Sequence, residues 1–328
     1  MRGSIRQNLN MLASVHRPGV QPNVFIHSLP RSGSTWLMEL ILSQPGFRRF
    51  NEPLNLRKPF VRENLGIEEW AQLHEANCAE KLETYFARLC SGELRDARYN
   101  FKGPFSRNYR PITWRTVFKI INGGHEHVHW LAEALNGRVV LLLRHPIPVA
   151  QSRKSFPELD AILRSQLVEQ LSTNQRSVAY AVARDGSKLA KGVLDWCLRN
   201  VVALRERKPT WSVVTYEQLV LDPVPAVVEM SRKLDLPSPE AMLRRLKVPS
   251  RSFKQSTPET RQVLQSDRSQ DNKKWLVEKW KSGVSADELG RSDEIISAFG
   301  LGHVYRIDDA IPRTEFWIGQ PERVRPDS

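Results

Sequence analysis

The sequence predicts an α/β fold, with a single domain whose central, mostly parallel sheet is flanked by helices. Three observations predict it. Short apolar segments typical of strands alternate with longer segments of helical spacing, as in parallel α/β proteins. These strand segments are apolar throughout, which is typical of strands covered on both faces. The first of them leads directly into a glycine-containing turn and a helix, which predicts a P-loop-like phosphate-binding loop.

Three segments have the pattern of buried strands, at residues 24–29, 139–143 and 211–215. Helical spacing predicts helices at residues 35–44, 67–90, 125–136 and 224–234, two more within 160–207 that break near Gly186, and a last one that begins at the Ser285–Glu288 capping box and ends at Gly300. Because strands alternate with helices along the whole chain, we expect the strands to be mostly parallel.

Composition divides the chain of 328 residues into three parts. Residues 1–22 form a polar N-terminal arm, residues 23–305 the α/β domain, and residues 306–328 a C-terminal tail. Within the domain, residues 250–274 are rich in Ser, Gln, Lys and Arg, and we expect either a mobile surface loop or a lid over a ligand. The sequence assigns no role to the cations of this segment, which are Arg251, Lys254, Arg261, Arg268, Lys273 and Lys274.

The chain has 49 Lys and Arg against 36 Asp and Glu, a net charge of +13. Because these cations are scattered and form no long run, we expect an anionic small molecule rather than nucleic acid as the partner. The longest aliphatic run is five residues, far short of the about 20 that span a membrane, so we expect no membrane partner. The three cysteines include no C-x-x-C pair, so we expect a cytoplasmic protein without a bound metal.

The turn after the first predicted strand has the features of an anion site. Backbone amides at the start of the following helix lack carbonyl partners and point into the turn. Gly33 lets the backbone approach an anion closely, Ser34 and Thr35 add hydroxyl donors, and Arg31 adds a forked positive charge. The turn matches neither G-x-x-x-x-G-K-[ST] nor G-x-G-x-x-G, which weakens kinase, NTPase and dehydrogenase interpretations.

A second anion pocket is predicted after the second strand, where Arg144 leaves the sheet. Pro146 suits the first turn of a following helix, and Ser152 can then face back toward Arg144. Both pockets lie at the carboxyl ends of strands, where open α/β sheets bind ligands. Two such pockets predict a ligand with two separate phosphate groups.

The segments at these pockets resemble motifs of the sulfotransferase family. Residues 30–36 resemble its 5′-phosphosulfate loop, residues 144–153 its 3′-phosphate motif, and residues 214–223 its YEDL…DP segment. Trp280-Lys281 and the last helix are similar to its C-terminal end, so the resemblance covers about residues 22–305. It implies the donor 3′-phosphoadenosine 5′-phosphosulfate (PAPS) and transfer of the sulfuryl group to a hydroxyl or amine of a small-molecule or carbohydrate acceptor.

The resemblance also implies which residues bind the donor. For the 5′-phosphosulfate these are Arg31, Ser32, Gly33, Ser34, Thr35 and Trp36. Arg144 and Ser152 would bind the 3′-phosphate. Tyr216 would contact the adenine, and the alternative for this residue is a tyrosine of the core that follows a strand.

By analogy with phosphoryl transfer, the reaction needs cations at the leaving oxygen and a base for the acceptor proton. Arg31 and Lys119 are the candidate cations. Ile121 stands two residues after Lys119, where cytosolic sulfotransferases carry a histidine. Carbohydrate-type and some bacterial members instead use a Glu after the first helix, so Glu52 is the preferred base. Pro53 predicts that Glu52 is extended, at the end of a strand.

Three alternatives stay open from the sequence. One histidine of the 125–129 cluster could be the base in place of Glu52, the candidates being His125, His127 and His129. The chain could be a P-loop nucleotide kinase or NTPase, against which the missing Lys-Ser/Thr pair counts. It could also be a non-catalytic nucleotide-binding protein on the same fold.

Overall fold

Five parallel strands form the central sheet of the computed structural model, in the order β3-β5-β2-β6-β7. The structure describes residues 5, 9–10, 12–75, 77–96, 109–251, 257–266 and 269–319. Within these ranges the strands are β1 (Val15–His16), β2 (Asn23–Ser28), β3 (Phe47–Asn51), β4 (Ile112–Thr113), β5 (Arg115–Ile120), β6 (Gly137–Leu143) and β7 (Ser212–Thr215). Strands β1 and β4 pair in parallel as a separate two-stranded sheet.

Helices cover both faces of the sheet. In chain order they are α1 (Ser34–Ile41), α2 (Pro59–Leu65), α3 (Cys78–Ser91), α4 (Val128–Ala134), α5 (Pro146–Gln151), α6 (Leu159–Leu163), α7 (Thr173–Asp185), α8 (Lys188–Arg205), α9 (Tyr216–Leu221), α10 (Pro223–Lys233), α11 (Pro239–Leu246), α12 (Pro258–Gln265), α13 (Gln270–Glu278) and α14 (Ala286–Ala298). Short 3₁₀ turns lie at Trp70–His74, His125–His127, Gln166–Gln170, Lys279–Gly283 and Thr314–Phe316. Within the described ranges no helix is long and apolar enough to cross a membrane.

The predicted α/β architecture is confirmed, and the three predicted strands correspond to β2, β6 and β7. The break at Gly186 between α7 and α8 and the capping box of Ser285 and Glu288 are also present. Strands β3 and β5 were missed. Two predicted helices are shorter than expected, because residues 67–90 and 125–136 each begin with a 3₁₀ turn.

The prediction of a loop at residues 250–274 is wrong for the described part of this segment, which contains α12 and the start of α13. Thr257 and Ser269 cap the two helices with their hydroxyl oxygens, and Leu276 and Val277 bury the second against the core. Tertiary packing thus orders a segment whose composition resembles a loop. Lys254 and Arg268 lie outside the described residues, and mobility or a lid function stays a prediction.

Parts of the predicted arm and tail pack against the domain. His16 Nε2 of β1 donates to the Cys90 carbonyl (3.0 Å), and its Nδ1 hydrogen-bonds with the Thr113 hydroxyl (3.0 Å). Phe316 and Trp317 are buried at the other end of the chain. The packed domain therefore includes residues on both sides of the predicted limits.

All five strands of the main sheet end at one edge, and this edge carries the predicted site. Because the strands are parallel, the residues that follow β2, β3, β6 and β7 meet there. The register pairs Asn51 of β3 and Ile26 of β2 with Lys119 of β5. The sheet thereby brings together residues that are far apart in the sequence.

Candidate active site

The loop between β2 and α1 has the backbone of an anion site. Arg31 and Gly33 both have positive φ angles, 75° and 93°. The first helical hydrogen bond of α1 is from the Leu37 N–H to the Gly33 carbonyl (3.1 Å). The amides that precede Leu37 at the helix start have no helical carbonyl to bind, and they can bind an anion. Ser32 and Ser34 are buried residues, and neither lines the large cleft that the loop borders.

Gly33 is required by the close approach of Tyr216. A Cβ atom at position 33 would lie 2.8 Å from Tyr216 Cδ2. Tyr216 also packs edge-on against Trp36, with 6.2 Å between the ring centroids. The Arg144 guanidinium lies over the same tyrosine ring, 4.2 Å from its centroid. Tyr216 therefore links the phosphate loop to the second predicted anion pocket.

Arg144 is held beside Arg31. Its Nη1 donates to the Arg31 carbonyl (2.8 Å), and Trp196 Nε1 donates to the Arg144 carbonyl (2.9 Å). Arg144 Nε is buried without a hydrogen-bond acceptor among the described residues. Burial and the charge of Arg144 lower the pKa of Arg31. An anion between the two guanidinium groups would relieve this repulsion and give the Nε donor an acceptor.

Buried residues behind Arg144 fix its position. Glu217 accepts from the His145 N–H (3.0 Å) and from the Tyr305 hydroxyl (2.7 Å), and burial raises the pKa of Glu217. The His145 ring stacks on Trp280 at 4.3 Å between centroids. Burial lowers the pKa of His145 to about 3, so the ring is neutral at physiological pH. The turn after β6 is therefore anchored to both β7 and the C-terminal segment.

The two predicted anion pockets open into one cleft of about 1070 Å³. Six of the predicted donor-binding residues line it, namely Arg31, Gly33, Trp36, Arg144, Ser152 and Tyr216. The Ser152 hydroxyl donates to the Val149 carbonyl (3.0 Å) and keeps its lone pairs for a further donor. The rest of the wall is mostly apolar and comes mainly from α5, α9, α10, α11, α12 and α13. The cleft thus combines a polar end with an apolar body, as small-molecule sites do.

Sequence reasoning missed Lys279, which lines this cleft. Its Nζ donates to the Thr260 hydroxyl and lies 5.1 Å from the centroid of the Trp275 ring. Burial and the charge of Arg144 lower the pKa of Lys279, which indicates that the two cations share one electrostatic environment. Its position directly before Trp280 was the available signal. Of the described cations within residues 250–274, Lys273 also lines the cleft.

Lys119 and Glu52 form an ion pair next to the phosphate loop rather than in the wall of the cleft. Lys119 Nζ lies 3.1 Å from Glu52 Oε1 and 3.3 Å from the Thr35 hydroxyl, so the lysine connects α1 to the carboxylate. Asn55 Nδ2 donates to the other carboxylate oxygen (2.8 Å). Burial raises the pKa of Glu52, but Lys119, Asn55 and Lys58 outweigh it and lower the pKa overall. Glu52 is therefore ionised at neutral pH.

The predicted position of Glu52 at the end of a strand is confirmed, but its predicted extended backbone is wrong. Glu52 follows the last residue of β3 and has a φ angle of 55°, in the left-handed region. Its N–H still donates to the Lys119 carbonyl (2.9 Å), and its own carbonyl accepts from the Asn55 N–H (3.3 Å). This turn overrides the preference that Pro53 imposes, and it directs the carboxylate toward Lys119.

Each of the three candidate histidines of the 125–129 cluster has a ring nitrogen beside a backbone carbonyl. His125 Nε2 contacts the Ser28 carbonyl (3.2 Å), His127 Nε2 the Leu73 carbonyl (2.8 Å), and His129 Nδ1 the Glu126 carbonyl (3.1 Å). None of these three side chains lines the cleft. Burial lowers the pKa of His125 to about 4. Glu52 does not line the cleft either, but its ion pair with Lys119 connects it to the Thr35 hydroxyl of the phosphate loop, and this contact favours Glu52 over the histidines as the base.

Comparison with known proteins adds independent information. The protein-family model that describes the sulfotransferase domain matches residues 21–299 of this chain. One similar solved structure is the sulfotransferase domain of the Synechococcus PCC 7002 olefin synthase, with 18% identity, a TM-score of 0.43, and coverage of 85% of this chain and 95% of that one. Another is the sulfotransferase domain of the curacin biosynthetic pathway, with 17% identity, a TM-score of 0.43, and coverage of 87% of this chain and 99% of that one. A third is mouse sulfotransferase SULT7A1 complexed with PAP, with 15% identity, a TM-score of 0.41, and coverage of 90% of this chain and 88% of that one. No curated protein matches the chain.

The family match covers most of the chain and includes every strand of the main sheet and all the candidate site residues. The chain belongs to the sulfotransferase family and is an enzyme that transfers a sulfuryl group.

Proposed function

We propose that the sulfuryl donor is PAPS and that the acceptor is a hydroxyl or amine of a small molecule or carbohydrate. The observation that carries this proposal is the single cleft that joins the phosphate loop at Arg31 and Gly33 to Arg144 and Ser152. PAPS carries anionic groups on both the 5′ and the 3′ position of its ribose. The two ends of the cleft match that pair of groups.

The residues of the cleft fit such a donor. Gly33, in the left-handed region, lets the loop pack directly against the Tyr216 ring, which brings the loop and the proposed adenine contact together. Arg144 has a buried Nε donor that lacks an acceptor among the described residues. A nucleoside triphosphate fits less well, because the loop lacks the Lys-Ser/Thr pair that holds the phosphates and Mg²⁺ in P-loop kinases.

When bound, PAPS would supply a sulfuryl group attached to a phosphate leaving group. In our proposal, Arg31 and Lys119 stabilise the negative charge that develops on the leaving oxygen. Glu52 accepts the proton of the attacking hydroxyl or amine. Lys119 has a second role, since its contacts with Glu52 and with the Thr35 hydroxyl hold the carboxylate beside the phosphate loop. Tyr216 provides a ring against which the adenine can pack.

Turnover of radiolabelled PAPS with a panel of alcohols, phenols, amines and sugars tests the proposal. We expect transfer to at least one acceptor, and we expect adenosine 3′,5′-bisphosphate to raise the melting temperature more than ATP with Mg²⁺ does. Binding of the bisphosphate without any turnover would favour a non-catalytic nucleotide-binding protein. Equal stabilisation by both nucleotides would contradict the assignment of the donor.

A further inference from the structure

A second cavity, of about 260 Å³, lies beside the outer edge of β3 and shares no lining residue with the donor cleft. We call it the arginine pocket, because six of its lining residues are arginines, namely Arg48, Arg49, Arg95, Arg110, Arg245 and Arg251. Within the described residues, β3 pairs only with β5, so its other edge faces this pocket. The other polar residues in its wall are Ser14, His16, Glu39, Ser43 and Thr113.

The charge of the arginine pocket is not balanced by its own wall. Glu39 is the single carboxylate among its described lining residues, and it pairs with Arg245 and with Arg251 (3.7 Å from Nε). Six guanidinium groups against one carboxylate leave an excess of five positive charges.

Three of the arginines bind only neutral acceptors among the described residues. Arg48 Nε donates to the Thr116 hydroxyl (2.9 Å) and its Nη2 to the Leu89 carbonyl. Arg95 Nε donates to the Gly92 carbonyl (3.1 Å), and Arg110 Nη1 to the Tyr109 carbonyl (3.0 Å). A guanidinium has five N–H donors, more than the contacts of these three arginines use within the described residues.

The arginines lie close enough to repel one another. Burial and the charge of Arg251 lower the pKa of Arg49 to about 10, although Glu39 opposes the shift. Burial and the charge of Arg95 similarly lower the pKa of Arg48 to about 10. An anion bound among these partly buried positive charges would reduce their mutual repulsion. Guanidinium groups that converge on one cavity match the oxygens of phosphate and sulfate groups, which accept two parallel hydrogen bonds.

We propose that the arginine pocket binds a compact polyanion that carries two or more phosphate or sulfate groups, at a site separate from the donor cleft. The charge excess calls for more than one anionic group. The volume, about a quarter of that of the donor cleft, limits the ligand to a small molecule or to the end of a larger one. This proposal does not depend on the identity of the sulfuryl donor.

Isothermal titration calorimetry of the full chain tests the proposal, with adenosine 3′,5′-bisphosphate present at saturation. One arm titrates pyrophosphate and the other a disulfated disaccharide, which separates a free phosphate ligand from a sulfated sugar. We expect binding in at least one arm. Arg251→Ala should weaken it roughly tenfold or more, because a charge-assisted hydrogen bond is lost. Arg110→Ala is a second variant with the same expectation, in case the first does not fold.

Glu39→Gln gives the opposite expectation. Removing the one carboxylate should tighten polyanion binding roughly fivefold or more, since it removes a repulsive charge and releases two arginines. Arg184→Ala, at an exposed pair with Asp185 on α7, is the matched control and should leave the affinity unchanged. Arg144→Ala, in the donor cleft, should also leave it unchanged.

Three results would overturn the proposal. The first is that neither polyanion binds. The second is that Arg251→Ala, Arg110→Ala and Glu39→Gln all leave the affinity for the polyanion unchanged. The third is that Arg184→Ala lowers this affinity as much as the pocket variants do. The last would mean attraction by overall charge. A loss confined to Arg144→Ala would place the polyanion in the donor cleft instead. Circular dichroism and thermal unfolding establish that each variant is folded.

Discussion

Glu52→Gln separates catalysis from folding in this enzyme. The change keeps the size of the side chain and an oxygen for Asn55 Nδ2, but it removes the negative charge that faces Lys119. If Glu52 is the general base, kcat should fall by a factor of about 10²–10⁴, the usual contribution of such a group. Binding of adenosine 3′,5′-bisphosphate should stay within about threefold of the wild type, because Glu52 does not line the donor cleft.

Glu52→Gln should also lower the free energy of unfolding, by an amount that the burial of the Lys119–Glu52 pair limits. Lys119 is 5% exposed and Glu52 is 22% exposed, and their charged atoms lie 3.1 Å apart. Loss of the counter-charge leaves a buried ammonium, for which we expect a destabilisation of about 1–3 kcal/mol, less than for a fully buried pair since solvent reaches Glu52. Urea unfolding measures this difference at pH 7.

The assay compares single-turnover transfer of labelled sulfate in the wild type, Glu52→Gln and Glu68→Gln. Glu68 is the matched control, because it is 78% exposed and its pair with Arg62 (3.6 Å) lies on the surface. Both the wild type and the control should turn over at the same rate. A Glu52→Gln enzyme with nearly wild-type kcat would refute the assignment of the base, however stable the variant is.

Three further predictions concern the cleft and its support. Arg144→Ala should weaken adenosine 3′,5′-bisphosphate binding roughly tenfold or more in calorimetry, whereas exposed Arg184→Ala should not. Gly33→Ala should lower the free energy of unfolding in urea by at least about 1 kcal/mol, because the left-handed backbone at this position and the nearby Tyr216 ring both oppose a Cβ atom. Unchanged stability and unchanged nucleotide affinity would contradict this prediction. The pKa of buried His145, about 3, lies below the value of an unfolded histidine, so stability should fall as pH decreases from about 6.5 towards 3, by roughly 1.4 kcal/mol per pH unit from this residue. His145→Gln should flatten that slope, and an identical slope would contradict it.

Local rules were sufficient to predict where the residues of the two candidate anion pockets lie. A buried strand that ends at a glycine-containing turn, followed by a helix, fixes where Arg31 and Gly33 lie without knowledge of the rest of the chain. The same holds for Arg144, which ends a strand of five aliphatic residues. That the two pockets open into one cleft followed from the rule that ligands bind at the carboxyl ends of parallel strands.

The strands β3 and β5 could not be recognised, because charged residues interrupt their apolar pattern. Arg115 in β5 is buried, and it donates to the carbonyls of Pro22 (2.6 Å), Leu234 (2.8 Å) and Asp235 (2.7 Å). These acceptors are visible only once the chain is folded. The ion pair of Lys119 and Glu52 was hidden for the same reason, since it depends on the register between the two missed strands.

The helices α12 and α13 show a different limit. Their residues are polar enough to resemble a loop, and they become helical through hydroxyl caps and through the few apolar side chains that meet the cleft. Lys279 reaches the cleft because these helices pack there. A residue placed by tertiary packing of a polar segment leaves little signal in the sequence.

The most direct test of the central claim compares the dissociation constants of adenosine 3′,5′-bisphosphate and adenosine 5′-monophosphate for the wild-type enzyme. Both nucleotides share the adenine and the 5′-phosphate, so their ratio measures what the pocket at Arg144 and Ser152 adds. We predict that the bisphosphate binds at least about tenfold more tightly, and that Arg144→Ala removes this preference. Equal dissociation constants in the wild type would contradict the assignment of two phosphate pockets to one cleft.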